Sequence, residues 1–229
     1  MIHILHGENV NASYAKLNEL IGKYPTHARI NQETNTLNDL INNISTADLV
    51  GTKKIIVAQN FIAKYKLKPH QLKDITDTTE LILWESKELT PAQVGAFAKI
   101  ANVEVFKLPP TIFYFLDSIH GPVANTINLL NKIDAKENTL LVWQLLNRLY
   151  MLSIAKTDLD EAGAGEAIGK NIASWQWQKI NDQAKKLDEQ IINKLFSSTL
   201  KIDYMTKSGS TSIQPKTLIS LMFLKYLPI

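Results

Sequence analysis

The stretch "HILHGENVNASYAKLNEL" (residues 3–20) decides the class of the fold. Its first residues form a short apolar run typical of a buried strand, and a polar turn follows. Apolar side chains then recur at helical spacing from Val10 to Ile21, with Asn9 or Asn11 available as the N-cap. The pattern predicts a strand, a turn and a helix, which is the unit with which many phosphate-binding domains begin.

The turn after this strand lacks the groups that a phosphate loop uses. In the pattern G-x-x-x-x-G-K-[ST], glycines bring backbone N–H groups to the phosphates, a lysine neutralises charge and a hydroxyl binds magnesium. Counted from Gly7, Ala12 stands at the second glycine, Ser13 at the lysine and Tyr14 at the hydroxyl ligand. The start of the helix still offers N–H groups to an anion, but we expect a structural β-α unit with no bound cofactor.

The composition indicates a globular protein of one or two domains. The chain has 229 residues, of which 45% are hydrophobic, and its net charge of +3 permits an acidic partner without requiring one. It has no cysteine, which excludes disulfides and thiolate nucleophiles and fits a cytoplasmic protein. No apolar run approaches the roughly 20 residues of a membrane span, and no secretory leader pattern is present. We therefore expect a cytoplasmic location and no membrane contact.

Strand and helix patterns alternate in the first half of the chain. The predicted strands are 2–6, 28–33, 54–59, 81–85 and 103–108, and the predicted helices are 11–23, 36–46, a short one from Pro69, and 91–101. Thr90, Pro91 and Gln93 form a capping box with proline at the first helical position. Such alternation, with continuous apolar runs in the strands, predicts a parallel sheet covered by helices.

Only helical patterns follow the double proline Pro109-Pro110. Apolar residues recur at helical spacing in 111–119, 123–133, 139–156, 174–187, 189–207 and 215–227. Gly121-Pro122 and the stretches 158–169 and 208–215 are expected to connect these helices. The chain is thus predicted to contain two domains, an α/β domain over 1–110 and an all-α bundle over 111–229.

No set of side chains forms a recognisable catalytic or metal site. The five histidines are scattered without the spacing of a metal site: His3, His6, His27, His70 and His120. We expect His3 and His6 to be structural, and Glu85 to be a surface or strand-end residue rather than a base. An active site needs several groups in coordinated roles, so the chain is not expected to be an enzyme.

Clusters of lysine and tryptophan leave nucleic-acid binding as the alternative function. The candidates are Lys64, Lys66 and Lys68 in the first half, and Lys185, Lys186, Trp175 and Trp177 on one predicted helix. Clustered cations on one face are what phosphate contacts require. Helix faces carry such lysines routinely, so we expect these to be solvated surface and the tryptophans to be core anchors. The alternative is a nucleic-acid-binding or adaptor protein on an inactive nucleotide-binding fold.

The stretch "STADLVGTKKIIVAQN" (residues 45–60) places an apolar pair, Leu49 and Val50, at a helix-to-strand junction where polar residues are usual. One reading is that both side chains fold back onto the core. The other is that they fill the pocket of a partner protein. Burial of two such side chains contributes about 3 to 5 kcal/mol, enough to anchor an interface.

The order of several segments resembles that of the delta subunit of the bacterial DNA polymerase III clamp loader. In the first half the similar segments are IHILHGEN (2–9), DLVGTKKIIVAQNF (48–61) and LILWESKELTPAQVGAFAKIANVEVFKLP (81–109). In the second half they are IFYFLDSIHGPVANTINLLNKI (112–133), LLVWQLLNRLYMLSIAK (140–156), the W-x-x-x-K segment at 175–179, and IDYMTKSG (202–209). The order of the segments, rather than any one motif, carries the resemblance.

The resemblance implies an AAA+ type, P-loop-like α/β domain without working ATP-binding motifs, followed by a helical collar. It implies a non-catalytic subunit that binds and opens the sliding clamp in DNA replication and joins other clamp-loader subunits through the collar. Whether DNA contacts this subunit within the complex stays open. The family's clamp-binding Leu-Phe pair falls, by position, on Leu49 and Val50.

The chain departs from the family pattern in two places. Valine at position 50 replaces a phenylalanine, which removes contact area worth about 1 to 2 kcal/mol, or roughly tenfold in affinity. Family members also have a helical lid between the α/β domain and the collar, whereas Pro109-Pro110 here leads directly into the collar-like TIFYFLDSI. We therefore expect the lid to be absent.

Overall fold

A computed structural model describes residues 1–24, 27–46, 53–157, 159–169 and 171–228. The chain divides into two compact units, Met1–Leu108 and Pro109–Ile229. The first unit combines a parallel sheet with helices and the second contains helices only, over the part of the chain just given. This confirms the predicted class of fold, an α/β domain followed by an all-α domain.

Five parallel strands form the sheet of the first unit. They are β1 (Ile2–His6), β2 (His27–Asn31), β3 (Lys54–Gln59), β4 (Thr79–Glu85) and β5 (Ala101–Val105), in the spatial order β2-β3-β4-β1-β5. β1 lies between β4 and β5, with Ile4 opposite both Leu83 and Val103. Because all the strands run the same way, their carboxyl ends meet at one edge of the sheet.

The helices of the first unit lie on both faces of this sheet. They are α1 (Val10–Ile21), α2 (Leu37–Ser45), α3 (Phe61–Tyr65) and α4 (Pro91–Phe97), with a 3-10 turn at Pro69–Leu72. α1 packs with Leu5, Ile55 and Ile82 on one face, and the other helices pack with Ile4 and Leu83 on the opposite face. After β1 the chain crosses the sheet towards β2 at one edge, and after β2 it returns strand by strand towards β5 at the other edge. Because crossovers are right-handed, the helices of the outward and return paths lie on opposite faces of the sheet.

Long-range pairing moves the bounds of three strands from their predicted places, and one of them, β4, begins at Thr79 instead of 81 because Thr79 pairs with Lys54. β5 was expected at 103–108 but lies at Ala101–Val105, because Ala101 pairs with Ile2 and the strand ends where β1 ends. β2 likewise spans His27–Asn31 instead of 28–33. α4 ends at Phe97, earlier than expected, because residues from Ala101 belong to β5. The capping box at its start is present as predicted.

Seven helices are described in the second unit. They are α5 (Pro110–Ser118), α6 (Val123–Asn131), α7 (Asn138–Ile154), α8 (Glu161–Ile168), α9 (Ser174–Lys185), α10 (Glu189–Lys207) and α11 (Pro215–Tyr226), with a 3-10 turn at Ala135–Glu137. α7 packs against α5, α9, α10 and α11. Its core side chains, such as Leu145 and Leu149, are fully buried. Nowhere in the described ranges is a helix long and apolar enough to cross a membrane.

The expected connection 158–169, of which residue 158 lies outside the described residues, contains the helix α8. Asp160 accepts a hydrogen bond from the Gly163 N–H at 2.8 Å and so caps its start. Gly169 ends it with φ +73°, a conformation that favours glycine. Ala164 is the one residue of α8 that is buried. An apolar periodicity is therefore missing, which is why the sequence pattern indicated a connection.

Candidate functional site

The crevice between the carboxyl ends of β1 and β4 is the first place to look for a ligand site. These two strands are neighbours, but α1 follows β1 on one face of the sheet and α4 follows β4 on the other. In open α/β sheets, ligands bind outside the carboxyl ends of the strands at such a switch point. The turn beginning at Gly7 lies there, where a phosphate loop would stand.

Two N–H groups of this turn, those of Gly7 and Asn9, are bonded within the chain. The Gly7 N–H donates to the Lys87 carbonyl at 3.3 Å, and the Asn9 N–H donates to the Phe106 carbonyl at 2.9 Å. The Asn9 side chain is the N-cap of α1 and accepts from the Ala12 N–H at 3.1 Å. A phosphate at this turn would have to displace these carbonyl and amide oxygens before it reached the same donors.

The backbone of Phe106 occupies the space beside Gly7. Gly7 has φ +137°, and a Cβ atom built on it would lie 2.2 Å from the Phe106 carbonyl oxygen. The Phe106 N–H also donates to the His6 carbonyl at 2.7 Å. Glycine is therefore required here for the close approach of the chain's own backbone. In a phosphate loop the same property admits the ligand.

Ser13, at the position of the phosphate-loop lysine, is fully buried. Its hydroxyl donates to the Val10 carbonyl at 3.0 Å and accepts from the indole Nε1 of Trp84 at 3.1 Å. The Trp84 ring is buried in turn and meets the Tyr14 ring edge-on at a centroid distance of 6.1 Å. The position that would supply a cation thus joins α1 to β4 by a neutral hydrogen bond.

Glu85 is the last residue of β4, as expected of a strand-end residue. It is buried, however, and does not lie at the surface. Only 1% of it is exposed, and its two carboxylate oxygens accept from the N–H groups of Ile62 at 2.7 Å and Ala63 at 3.2 Å. Burial raises the pKa of Glu85 to about 7, while the two backbone hydrogen bonds act in the opposite direction. The carboxylate therefore anchors the start of α3.

His3 and His6 have the structural roles expected of them. The Nδ1 of His6 accepts from the Leu89 N–H at 3.1 Å, and burial lowers the pKa of His6, with Glu88 opposing the shift and Lys107 adding to it. The Nε2 of His3 lies 3.0 Å from a carboxylate oxygen of Glu80. In the described part of the chain, no group of three or more His, Asp or Glu side chains is placed to hold a metal ion.

The predicted clamp-binding residues, Leu49 and Val50, lie outside the described residues. The residues that flank them can be located. α2 ends at Ser45 before them, and β3 begins at Lys54 after them, at the edge of the sheet where the strands begin. This is the edge opposite the Gly7 turn. Whether the two side chains face the core or a partner stays a prediction.

Lys54 holds the two ends of this segment together. Its Nζ donates to the carbonyl of Asn43 at 2.9 Å and also to the carbonyl of Thr46, both near the end of α2. Lysine beside the free carbonyls at the end of a helix is a favourable arrangement. Because Lys54 is also the first residue of β3, these hydrogen bonds join the end of α2 to the start of β3.

The lysines of both clusters are exposed, as expected of solvated surface, whereas the two tryptophans differ in burial. Lys64 is exposed, and its Nζ donates to the Gln32 carbonyl at 2.5 Å. Trp177 is buried, as expected of a core anchor. Trp175 was also expected in the core, but 70% of it is exposed. The reason is that α9 presents only one face to α7, and residues two apart on a helix point in different directions.

Comparisons with known proteins found a similarity of structure but none of sequence. No protein-family model matches the chain, and no curated protein matches its sequence. Among solved structures, the DNA clamp loader delta protein (YqeN) of Bacillus subtilis aligns with a TM-score of 0.42 and 12% sequence identity. The alignment covers 99% of this chain and 95% of that chain.

Proposed function

We propose that the chain is a non-catalytic, delta-type subunit of a DNA polymerase III clamp loader. It binds and opens the sliding clamp during DNA replication, while other subunits hydrolyse ATP. The observation that carries the non-catalytic part is the Gly7 turn, whose N–H groups are bonded to the carbonyls of Lys87 and Phe106. The order of the sequence segments, set on an α/β domain followed by a helical domain, supports the choice of family.

Two further contacts support a scaffold that does not process ATP. Ser13 replaces the phosphate-loop lysine and is committed to a hydrogen bond with Trp84. Glu85 is the acidic residue at the end of a strand, where nucleotide hydrolases hold magnesium, but its oxygens accept from two backbone N–H groups of α3. Both groups serve the packing of the first unit, so the energy of clamp opening must come from partner subunits.

Leu49 and Val50 form the clamp contact in this proposal. Two apolar side chains of this size contribute about 3 to 5 kcal/mol when a partner buries them. Lys54 fixes the base of their segment, which reduces the conformational entropy that binding must remove.

The helical unit is the proposed collar through which the other clamp-loader subunits bind. Its helices α7, α10 and α11 carry large apolar side chains that are exposed in the isolated chain: Trp143, Leu200, Tyr204, Leu221 and Leu224. Such residues are what a protein interface covers. The proposal has no lid domain, and the short connection of residues 106–109 between β5 and α5 supports this. We place the complex in the cytoplasm.

Reconstitution with the sliding clamp of the same organism tests the proposal. The purified chain is mixed with clamp in the absence of ATP, and the mass of the complex is measured by light scattering after size exclusion. Calorimetry with Mg-ATP is run in parallel. We expect a clamp complex and no nucleotide binding at the Gly7 turn. Failure to bind clamp, combined with strongly salt-dependent DNA binding, would favour the alternative of a nucleic-acid-binding adaptor.

A further inference from the structure

A pocket of about 360 Å³ opens between α5 and α9 in the helical unit. This volume is in the range of small-ligand sites, about 300 to 1,000 Å³. The pocket is lined by Asp117, His120, Trp175, Gln178, Lys179, Asp182, Gln183 and Lys186. All of them belong to the helical unit.

A buried arginine lies beneath the pocket. Arg148 of α7 is 8% exposed, and its guanidinium donates to a carboxylate oxygen of Asp117 at 2.9 Å and to the side-chain carbonyl of Gln183 at 2.8 Å. The other oxygen of Asp117 accepts from the Nζ of Lys179 at 2.5 Å. Burial lowers the pKa of Arg148, and Asp117 opposes that shift. One carboxylate is therefore shared by two cations.

This sharing makes Lys179 available to a ligand. If the ammonium of Lys179 turns away to another anion, Asp117 keeps its hydrogen bond to Arg148 and no buried charge is left without a partner. The side chain of Lys179 is more than half exposed, so it can turn at little cost in packing. Lys179 is thus positioned by Asp117 without being needed to neutralise it.

A second cation, Lys186, lies at the other end of the pocket. Its Nζ is 3.5 Å from the Nε2 of His120, and no salt bridge joins it to a carboxylate within the described ranges. Burial and the nearby Lys186 both lower the pKa of His120, whereas Asp117 raises it, so the imidazole is neutral at pH 7 and adds no charge. The pocket therefore has two lysines for an anion, while its two carboxylates have partners of their own, Asp117 with Arg148 and Asp182 with Lys185.

Trp175 adds an aromatic surface to these cations. It lies in the first turn of α9, and Lys179 and Lys186 follow at spacings that place all three on one side of the helix. The ring is largely exposed, and the core contact of this turn is made by Trp177 instead. An exposed aromatic ring next to cations is the arrangement on which nucleic-acid bases stack while their phosphates are neutralised.

We propose that this pocket binds one nucleotide unit, with the base stacked on Trp175 and the phosphate held by Lys179 and Lys186. A free nucleotide and one unit of a single strand share this chemistry. The site does not depend on the clamp contact, because its residues belong to the helical unit alone. If the nucleotide site fails its test, the proposed clamp-loader function is unaffected. If the clamp-loader function fails its test, the nucleotide site is likewise unaffected.

Binding measurements on the full chain, without clamp, test the site. The probes are a labelled oligothymidylate, a duplex of matched length, and the free nucleotides dTMP and ATP. Trp175→Ala is expected to weaken binding about five- to a hundredfold. Lys179→Ala and Lys186→Ala should each lower the slope of log K against log salt by about 0.7 for a single strand. Because all three side chains are exposed, these variants should unfold like the wild type.

Two matched variants provide the controls. Tyr114→Ala removes a largely exposed aromatic ring from α5 that does not line the pocket, and Lys201→Ala removes an exposed lysine from α10. Both should bind every probe as the wild type does. Binding of the oligothymidylate alone supports a strand as the source of the nucleotide unit, and binding of dTMP or ATP supports a free nucleotide. Absence of binding to every probe, or equal affinities of wild type and Trp175→Ala, would overturn the proposal.

Discussion

The indole of Trp84 donates a hydrogen bond of 3.1 Å to the hydroxyl of Ser13, and both side chains are buried. Ser13 stands where a phosphate loop has its lysine. In this chain the position joins α1 to β4 instead of neutralising a ligand. The loss of nucleotide chemistry that we propose is therefore tied to a gain in packing, and its energetic consequences can be measured.

Removal of the Ser13 hydroxyl should destabilise the first unit. Ser13→Ala leaves the indole N–H of Trp84 buried without an acceptor, which costs about 1 to 3 kcal/mol. The free energy of unfolding from urea titration measures this loss. Ser212→Ala, at an exposed serine of the second unit, is the control and should change the value by less than about 0.5 kcal/mol. A Ser13→Ala protein as stable as the wild type would contradict the role of this bond.

A side chain at Gly7 should be poorly tolerated. In Gly7→Ala the new Cβ atom would meet the Phe106 carbonyl at 2.2 Å, and φ is +137°. Both effects destabilise, and we expect a loss of more than about 2 kcal/mol in the free energy of unfolding. Gly95→Ala in α4 is the matched control, because nothing lies within 4 Å of its Cβ position and alanine favours the helix by up to about 1 kcal/mol. Equal stability of the two variants would show that Phe106 does not close the turn.

Glu85 should make the stability of the protein depend on pH. Its pKa rises from 4.5 in the unfolded chain to about 7 in the folded state, so the folded state holds the proton more tightly. The free energy of unfolding then falls as pH rises between these two values, by at most about 3 kcal/mol. In Glu85→Gln this contribution disappears, whatever the variant's absolute stability.

Unfolding curves at several pH values separate Glu85 from the other titrating groups. The difference between wild type and Glu85→Gln isolates its contribution, and the exposed Glu33→Gln variant should follow the wild type throughout. A Glu85→Gln protein with the same pH dependence as the wild type would mean that the carboxylate titrates normally in spite of its burial.

Local patterns predicted most of the fold. The apolar runs of β3 and β4 and the capping box at Thr90 depend on neighbouring residues, and the structure has them as expected. α3 was not predicted, because it has five residues and its first N–H groups bond to Glu85, more than twenty positions away. The burial of Glu85 depends on the same contact and gives no local signal.

The candidate sites were harder to predict than the fold. Trp175 and Trp177 are the same type of residue and lie two positions apart. Only the packing of α9 against α7 makes Trp175 exposed and Trp177 buried. The shared carboxylate of Asp117 joins residues of three helices and leaves no motif in the sequence. Leu49 and Val50 come from the family resemblance and from an unusual apolar pair in a turn, and they stay predictions.

Lys54 should affect clamp binding without affecting the fold. Lys54→Met keeps the length of the side chain but loses the hydrogen bonds to Asn43 and Thr46, so the ends of the segment are no longer held together. We expect about five- to tenfold weaker clamp binding from the lost preorganisation. Lys53→Met, at the exposed neighbouring lysine, should bind clamp normally. Equal clamp affinities of the two variants would mean that the base of the segment does not matter.

The most direct measurement is a titration of the sliding clamp with wild type, Leu49→Ala and Val50→Phe, each checked by its unfolding curve. Leu49→Ala should lose clamp binding while it keeps the stability of the wild type. Val50→Phe restores the family's aromatic residue and should tighten binding by roughly tenfold. Clamp affinities that are the same for all three proteins would contradict the proposed contact.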